Sequence, residues 1–583
     1  MSAELLLRAF DRAAQMPDGV GRLRGFVLDL AVRGRLSGAA PSDQPSTDLI
    51  EQIRVDGGRS FGSKWLAKSN RLSEQLSSPP FALPTHWTWV RFGGLHDLVR
   101  GVTYTRSDVS ERPTPDYLPI LRANNIRTSV NFDDLVFVRR ERVAEEQRPR
   151  RGDYLVALSS GSKNLVGKTA HVTGDFDGGI GGFCGILRLP SPSLEPFVGV
   201  YLASSLYRDA ISEGSRGIGI NNLQRSTLDN LPFPLPPLAE QHRIVAQVDE
   251  LMALCDQLEA AQAERENCRD ALRSASLHRL TATHGGGSIG KSEVRFFLQQ
   301  SPRLVTKAEH VAAVRRTILD LAIRGRLVPQ DPDDEPASAL LRRTASRSDR
   351  RRSVPPAETV IDQPSVPFEM PLGWESTFFG RLIAASEAGW SPKTESFPRT
   401  GQEWAVLKVS AVSWDSFRPT ENKQLLPGVL PRREAQVRTG DFLISRANTS
   451  ELVAKAVAVD DAPPNLMLSD KIVRLSLVED SVPRFLLLVN NHAKYAREYY
   501  VREASGASPS MKNVSRGVIY NLPIPLPPLA EQHRIVAKVD ELMAVCDDLE
   551  RALTTAQAER AGLLEALLHE ALDGSGAAMP ALA

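Results

Sequence analysis

Gly285–Ser292 reads GGGSIGKS, which fits the phosphate-loop spacing of two glycines, a lysine and a hydroxyl residue. That spacing does chemistry only between a buried strand and a helix, where successive backbone N–H groups converge on a phosphate. Here the residues before it are the fading end of a helical pattern and a polar TATH. The stretch also lies at the seam between two segments, where a flexible joint is expected and explains the glycines. A nucleotide-hydrolysing site built on Lys291 is one reading of this stretch, and a linker is the other. Ser162–Thr169, SKNLVGKT, misses the same spacing by one residue, because Ser162 stands where the first glycine belongs.

Other reactive groups do not assemble into a pattern. Cys184, Cys255, Cys268 and Cys546 form no CxxC pair, so neither a zinc site nor a disulfide framework is indicated. His242 and His533 stand at equivalent places and read as surface or interface residues rather than bases. There is no HExxH, no helicase motif set and no glycine-rich loop after a strand for S-adenosylmethionine. The Asn-Pro-Pro-aromatic run with which amino-methyltransferases hold a flipped base is also missing. A chain of 583 residues without an assembled site points to recognition rather than catalysis.

The elements that would position such a recognition surface are written twice. Leu231–Arg243 reads LPFPLPPLAEQHR and Leu522–Arg534 reads LPIPLPPLAEQHR. LDLAVRGRL from Leu28 returns as LDLAIRGRL from Leu319, displaced by the same 291 positions. The chain is therefore a tandem repeat of one unit. Between the repeated flanks the middles diverge but keep a frame. PFALPTHWTWVRFGGL from Pro80 answers PFEMPLGWESTFFGRL from Pro367, and GDYLVALSSGSKNLVGK from Gly152 answers GDFLISRANTSELVAK from Gly440. Short Val-, Ile- and Leu-rich stretches punctuated by Gly, Asp and Pro predict strands and turns, mixed with helices such as VGVYLASSLYRDAISEG from Val198.

The repeated flank after each proline stretch predicts a long helix. Ile244, Val248, Leu251, Cys255 and Leu258 step by four and three, as do Ile535, Val539, Leu542, Cys546 and Leu549. That is a heptad seam, and two near-identical seams predict that the helices pair with each other rather than each packing on its own domain. The echo at Leu23–Leu36 has no long helix before it, so the C-terminal helix is its expected partner and the termini should meet. The fold class is thus α/β: two mixed α/β domains separated by two long antiparallel coiled-coil helices, in a pseudo-twofold tandem repeat. The basic run LRRTASRSDRRRS around Arg342–Ser353 reads as a mobile linker.

Bulk properties limit the partners. A net charge of +1 rules out a uniformly basic coat, so nucleic-acid contact must come from local patches. The longest apolar runs, such as Phe485–Val489, are too short to span a bilayer, and MSAELLLRAFDRAAQ lacks the apolar core of a signal peptide. A soluble, cytoplasmic protein without membrane contact is expected.

The doubled LPxPLPPLAEQHRIV leading into a heptad helix resembles the specificity subunit of type I restriction–modification systems. So do GDFLIS before a short polar loop and the segment ILDLAIRGRLVPQ. The resemblance covers essentially the whole chain. It implies a non-catalytic subunit in which each variable middle is a target recognition domain reading one half of an asymmetric, split sequence in double-stranded DNA. The paired helices act as a ruler between the halves. It implies as partners two methyltransferase subunits and restriction/translocase subunits, to which S-adenosylmethionine, ATP and magnesium belong. The corresponding division is a repeated helical segment and linker (1–78), a first target recognition domain (79–235), a central region with the first long helix (236–345), a linker with the second target recognition domain (346–526) and the C-terminal helix (527–583). A helix of about 30 paired residues spans about 45 Å, against about 34–36 Å for one DNA turn.

Base edges are read by forks and amides, with Arg or Lys on guanine and Asn or Gln on adenine. Three clusters recur at matched places in both halves. Arg122, Asn124 and Asn125 follow a strand in the first middle, answered by Lys408 and Ser410. Lys163, Asn164 and Lys168 lie after the Gly-Asp pair, answered by Arg446, Asn448 and Lys455. Arg216, Asn221 and Asn222 precede the repeated phrase, answered by Ser508, Lys512 and Asn513. Tyr104 and Trp390, in the early loops GVTYTRSD and AGWSPKTE, are candidates to wedge or stack. Most of these side chains would touch phosphate, because phosphate contacts usually outnumber base contacts. The alternative from another class is a coiled-coil scaffold whose α/β domains bind protein.

Overall fold

The structure is a computed structural model. It describes residues 16, 18–40, 43–70, 76, 78–160, 165–214, 221–281, 291–348, 364–413, 416–478, 481–506, 508 and 511–573. The chain divides into two units, Met1–Arg265 with Gln557–Ala583, and Glu266–Ala556. Both have the mixed α/β character expected from the sequence.

In the first unit a four-stranded antiparallel sheet is ordered Asp97–Arg100, Cys184–Arg188, Tyr154–Ala157, Thr169–His171. A second sheet is ordered Val109–Ser110, Val136–Arg139, Tyr117–Leu121, Gly179–Ile180, its last pair parallel. The second unit repeats the first sheet's order with Ile383–Ala388, Ile472–Leu477, Phe442–Ser445 and Ala456–Ala458. Its smaller sheet is Asn422–Gln424, Ala405–Leu407, Leu466–Met467, again with a parallel last pair. Strands such as Tyr154–Ala157 and Phe442–Ser445 are buried at every position, which is why they read as unbroken apolar runs rather than alternating ones.

The proline-rich phrase becomes a strand in each unit. Pro232–Leu235 pairs antiparallel with Thr88–Arg91, and Pro523–Leu526 pairs with Glu375–Phe378. Each is a two-stranded ribbon. Proline cannot donate to a ladder, so alternate prolines are tolerated where one edge has no strand to bond. Phe233 and Leu235 fill the core between them, at 1% and 0% exposure.

From these ribbons the chain enters Leu238–Thr281, a helix of 44 residues, and Leu529–Asp573, one of 45. At 1.5 Å per residue each is about 66 Å long, longer than the span expected from the seam alone. The seam residues divide by depth along the helix. Ile244 and Val248 enter the core of the first unit with Phe233 and Leu235, and Leu251, Cys255 and Leu258 pack on that same cluster beside Leu564 and Leu568. Ile535 and Val539 enter the core of the second unit with Trp374 and Ile524. Cys546 and Leu542 pack with Leu277, Leu280, Val311 and Ile318, while Leu549 stays 37% exposed. The first two seam positions of each helix are therefore fixed to their own domain. Of the later ones, Leu251, Cys255 and Leu258 share a cluster with Leu564 and Leu568 of the other long helix, and Leu542 and Cys546 share one with Leu277 and Leu280.

The second echo folds as a helix with a matched end. Gly19–Val32 and Ala308–Ile323 both close through a glycine at φ +67, Gly34 and Gly325. Gly34 N–H bonds Ala31 O and Arg35 N–H bonds Leu30 O, the two bonds of a Schellman end; Gly325 and Arg326 repeat them on Ala322 and Leu321. In the first unit Arg24 reaches Asp256 at 2.6 Å and Glu259 at 2.8 Å, and Arg22 meets Glu565 at 3.3 Å. In the second, Arg315 holds Asp547 at 2.5 Å and Glu550 at 2.6 Å.

One expectation is corrected here. The basic run around Arg342–Ser353 begins inside a helix, Ala337–Ser348. Ala337 and Leu340 are buried at 0% and 2%, with Leu341 packed beside them, so one apolar face overrides the polar composition. Residues 349–353 lie outside the described set. No helix among the described residues is long and apolar enough to cross a membrane.

Candidate nucleic-acid interface

In each unit the segment after the Gly-Asp strand and the segment before the proline phrase are stitched together by a two-residue antiparallel ladder. Ser159–Ser160 pairs with Asn221–Asn222, Ser160 opposite Asn221 and Ser159 opposite Asn222. Ala447–Asn448 pairs with Lys512–Asn513, Asn448 opposite Lys512 and Ala447 opposite Asn513. In the second unit this sets Asn448 of one candidate cluster opposite Lys512 of another, and in the first it sets Asn221 and Asn222 beside Ser159–Ser160. The bonds beside the ladder also match: Leu223 N–H bonds Leu158 O, as Val514 N–H bonds Arg446 O.

A close backbone approach sets the neighbouring loop. Gly101 N–H bonds Cys184 O and Val102 N–H bonds Ile180 O; in the second unit Gly389 N–H bonds Ile472 O and Trp390 N–H bonds Leu468 O. A Cβ on Gly101 or Gly389 would lie 2.2 Å from a carbonyl oxygen, of Gly181 or Leu468, so no other residue fits. Trp390 is therefore the counterpart of Val102, not of Tyr104. Both aromatic candidates are half-buried: Tyr104 packs on Val102, Leu118 and Val138, and Trp390 sits beside Val406 and Met467 with Arg432 over its ring at 4.4 Å. Neither stands free to wedge.

The first cluster is governed by acids that the sequence reading left out. Arg122 Nη2 donates to Asp134 O at 2.7 Å and to its Oδ2 at 2.8 Å, and Asn124 Nδ2 reaches the same carboxylate at 3.3 Å. Lys408 Nζ lies 3.6 Å from Glu421 Oε2, which also accepts from Ser410 Oγ at 2.7 Å. The Ser410 hydroxyl, with Lys408 next, holds the Glu421 carboxyl below its ordinary range. In both units, then, the cation that follows a central strand is guarded by a carboxylate about a dozen residues on.

Asn125 does not fit the role expected of it. It is 1% exposed; its Oδ1 accepts from Arg122 N–H, and its Nδ2 donates to Asn131 O and Asp133 O. An amide whose bonds close its own loop has none left for a base edge. Asn448 is engaged at both ends, its Nδ2 donating to Ser413 Oγ at 2.7 Å and its Oδ1 accepting the Thr449 N–H at 2.8 Å, and Lys455 donates to Asn491 O at 3.2 Å. Lys512 donates to Gly506 O at 2.7 Å. Lys168, Arg446 and Asn513 are half-exposed, while Asn222 and Ser508 are exposed. Lys163, Asn164 and Arg216 lie outside the described residues, as does the side chain of Asn221.

Two tempting alternatives lose ground. Gly285–Gly290 lies outside the described residues, but what precedes it is the helix ending at Thr281, not the strand a phosphate loop requires. Glu266, Asp270 and His310 each bring a potential ligand atom within 4.8 Å of one another. Yet His310 Nδ1 accepts the Thr306 N–H at 3.2 Å, so the neutral ring carries its proton on Nε2, the atom 3.8 Å from Asp270. Arg273 bonds Asp270 at 2.9 Å, Lys307 lies 3.3 Å from Glu266, and Arg269 bonds Glu266 as well. That is an ion-pair network turned toward a proton, not a metal cradle. His242 and His533 are exposed. Burial pushes the Cys184 thiol up to about 12, which leaves it inert.

The type I restriction modification DNA specificity domain matches residues 179–265 and 433–560. The type I restriction enzyme EcoEI specificity subunit of Escherichia coli is 30% identical over 95% of this chain and 94% of its own length. The EcoKI specificity subunit of Escherichia coli strain K12 is 28% identical over 84% and 89%. The solved HsdS subunit from Thermoanaerobacter tengcongensis superposes with a TM-score of 0.41 at 18% identity, over 86% of this chain and 100% of that one. The chain therefore belongs to the type I restriction enzyme specificity subunits, DNA-binding proteins with target recognition domains.

Proposed function

We propose that this chain reads an asymmetric, two-part DNA target with one α/β domain per half-site, while its two long helices pair antiparallel about a pseudo-twofold and fix the spacer. Methyltransferase subunits dock on it, and restriction subunits complete the complex. Cleavage, methylation and the use of S-adenosylmethionine, ATP and magnesium take place in those partners. One observation supports the two-part reading above others. The same ladder is built at the same place in both units but carries different side chains, Ser159 opposite Asn222 in one and, at that position, Ala447 opposite Asn513 in the other. Equal scaffolds with unequal donors read unequal base edges.

The ruler is tested by deleting one heptad from both long helices and mapping N6-methyladenine genome-wide. Seven residues shorten a helix by about 10.5 Å, about three base pairs of axial rise. A target with a shorter spacer, or loss of modification, is expected. An unchanged spacer overturns the ruler. Loss of the split motif from the methylome when the gene is deleted tests recognition itself.

A further inference from the structure

The turn that precedes the central strand of each four-stranded sheet ends in a residue that no motif singled out. In the first unit it is Phe183, whose carbonyl accepts the N–H groups of Leu158 and Ser159, directly beside the Ser159–Asn222 pair. In the second unit the same bond runs from Arg446 N–H to Lys471 O, beside the Ala447–Asn513 pair. Phe183 and Lys471 therefore occupy one slot of the shared framework, fastened to the ladder by backbone bonds that do not depend on their side chains.

The slot's chemistry is opposite in the two units. Phe183 is 69% exposed, and its neighbours in the turn are Gly181 and Gly182. Leu158, which bonds it, is buried and apolar. In the second unit the corresponding residues are Ser469, Asp470, Lys471 and Arg446. Lys471 Nζ lies 3.4 Å from Asp470, which accepts from Ser391 Oγ at 2.5 Å. The Ser391 hydroxyl, then Lys471 and Arg446, hold the Asp470 carboxyl below its ordinary range, so the group is a fixed negative partner for both cations. An aromatic side chain standing in water gains free energy when an apolar partner covers it. The major-groove edge of DNA presents one apolar group, the C5-methyl of thymine, while guanine presents two acceptors suited to a cation.

We propose that this slot makes the two half-site readers different: Phe183 covers the C5-methyl of a thymine in the first half-site, and Lys471, steadied by Asp470, takes the acceptors of a guanine in the second. This rests on the two-part reading proposed above and names a determinant within it.

The test uses the complete complex with its methyltransferase subunits and duplexes carrying the target found in the methylome. Each thymine of each half-site is replaced in turn by deoxyuridine, which removes only the methyl. One position in the half-site read by the first unit should lose about fourfold in binding, the effect of one methyl withdrawn from water. Phe183→Ala should lose the same factor on the natural duplex and become indifferent to that deoxyuridine, with discrimination in the other half-site unchanged. Phe183→Lys should shift preference at that position toward guanine. Specific binding that no deoxyuridine weakens, or a Phe183→Ala variant as methyl-sensitive as the parent, overturns the assignment and leaves the two-part reading standing. A complex that does not prefer its methylome target over scrambled duplex instead sinks the two-part reading.

Discussion

The indole Nε1 of Trp87 donates to the Glu240 carboxylate at 2.9 Å, joining two residues 153 positions apart in a buried contact. The second unit makes the same bond from Trp374 to Glu531 at 3.0 Å. Each carboxylate also accepts a second bond, from Ser37 Oγ in one unit and Gln330 Nε2 in the other. The next residue, Gln241 or Gln532, donates to the carbonyl of Pro236 or Pro527 at 2.9 Å. Two positions further on, Arg243 clamps Asp43 and Arg534 clamps Asp334. The doubled phrase is thus a knot that fixes the start of each long helix to its own domain.

Removing the indole donor isolates that knot. Trp87→Phe and Trp374→Phe should each lower stability by about 2 kcal/mol, because a hydrogen bond to a charged acceptor is lost inside the core. Burial raises the Glu531 carboxyl above its ordinary value, so losing Trp374's donation should raise it further. Thermal unfolding of the single and double variants checks this. A double variant no worse than either single one would show that the two knots are not independent supports.

Asp43 gives a pH signature. The two bonds from Arg243, at 2.9 and 2.7 Å, and then the Ala40 N–H hold its carboxyl down to about 2. A carboxyl lowered on folding stabilises fully above its unfolded value, about 3.9, and loses that contribution as pH falls from there through about 2. The gap in melting temperature between parent and Asp43→Asn should therefore be constant above about pH 5 and close in acid. A gap that widened in acid would refute the sign.

How much of this was legible in the sequence depends on where partners lie. The doubling, the mixed α/β middles and the long helices follow from patterns within one segment, and each was readable. The purpose of Glu240, Gln241 and Arg243 was not, since Trp87 and Asp43 stand far away in sequence. Asn125 looked like a reader because it sits in a polar turn, and only its burial reveals a loop-closing amide. Phe183 has no periodic neighbours in GGIGGFCG; aligning that stretch with LMLSDKIV, residue against residue, was the signal that could have found it. Asp134 and Glu421 escaped notice because acids are not expected at a DNA surface.

The matched glycines predict a cost that exposure alone would not. Gly34 and Gly325 sit at φ +67, and a Cβ there would lie 2.6 Å from the ring carbon of Pro84 or Pro371. Gly34→Ala and Gly325→Ala should each cost about 1–3 kcal/mol, combining left-handed strain with overpacking. Gly428, at φ +84 with nothing within 4 Å of its Cβ, is the control for strain alone and should cost less. Equal losses at all three positions would remove the packing contribution.

The guarded cations predict how binding responds to salt. Arg122 is tied to Asp134 through two contacts from one nitrogen, and Lys408 to Glu421 through a looser one. A carboxylate beside a phosphate-seeking cation cancels part of its counterion release and penalises misplaced backbone. Asp134→Asn should therefore raise non-specific affinity and steepen the log–log salt dependence by about one unit, while weakening discrimination in the first half-site only. Glu421→Gln should do the same for the second. Arg122→Ala should flatten the slope by about one if the guanidinium meets phosphate, or relax a single base position if it meets an edge. Titrations on target and scrambled duplexes at several salt concentrations separate these outcomes. If neither acid variant changes slope or affinity, the cations they guard do not reach the nucleic acid.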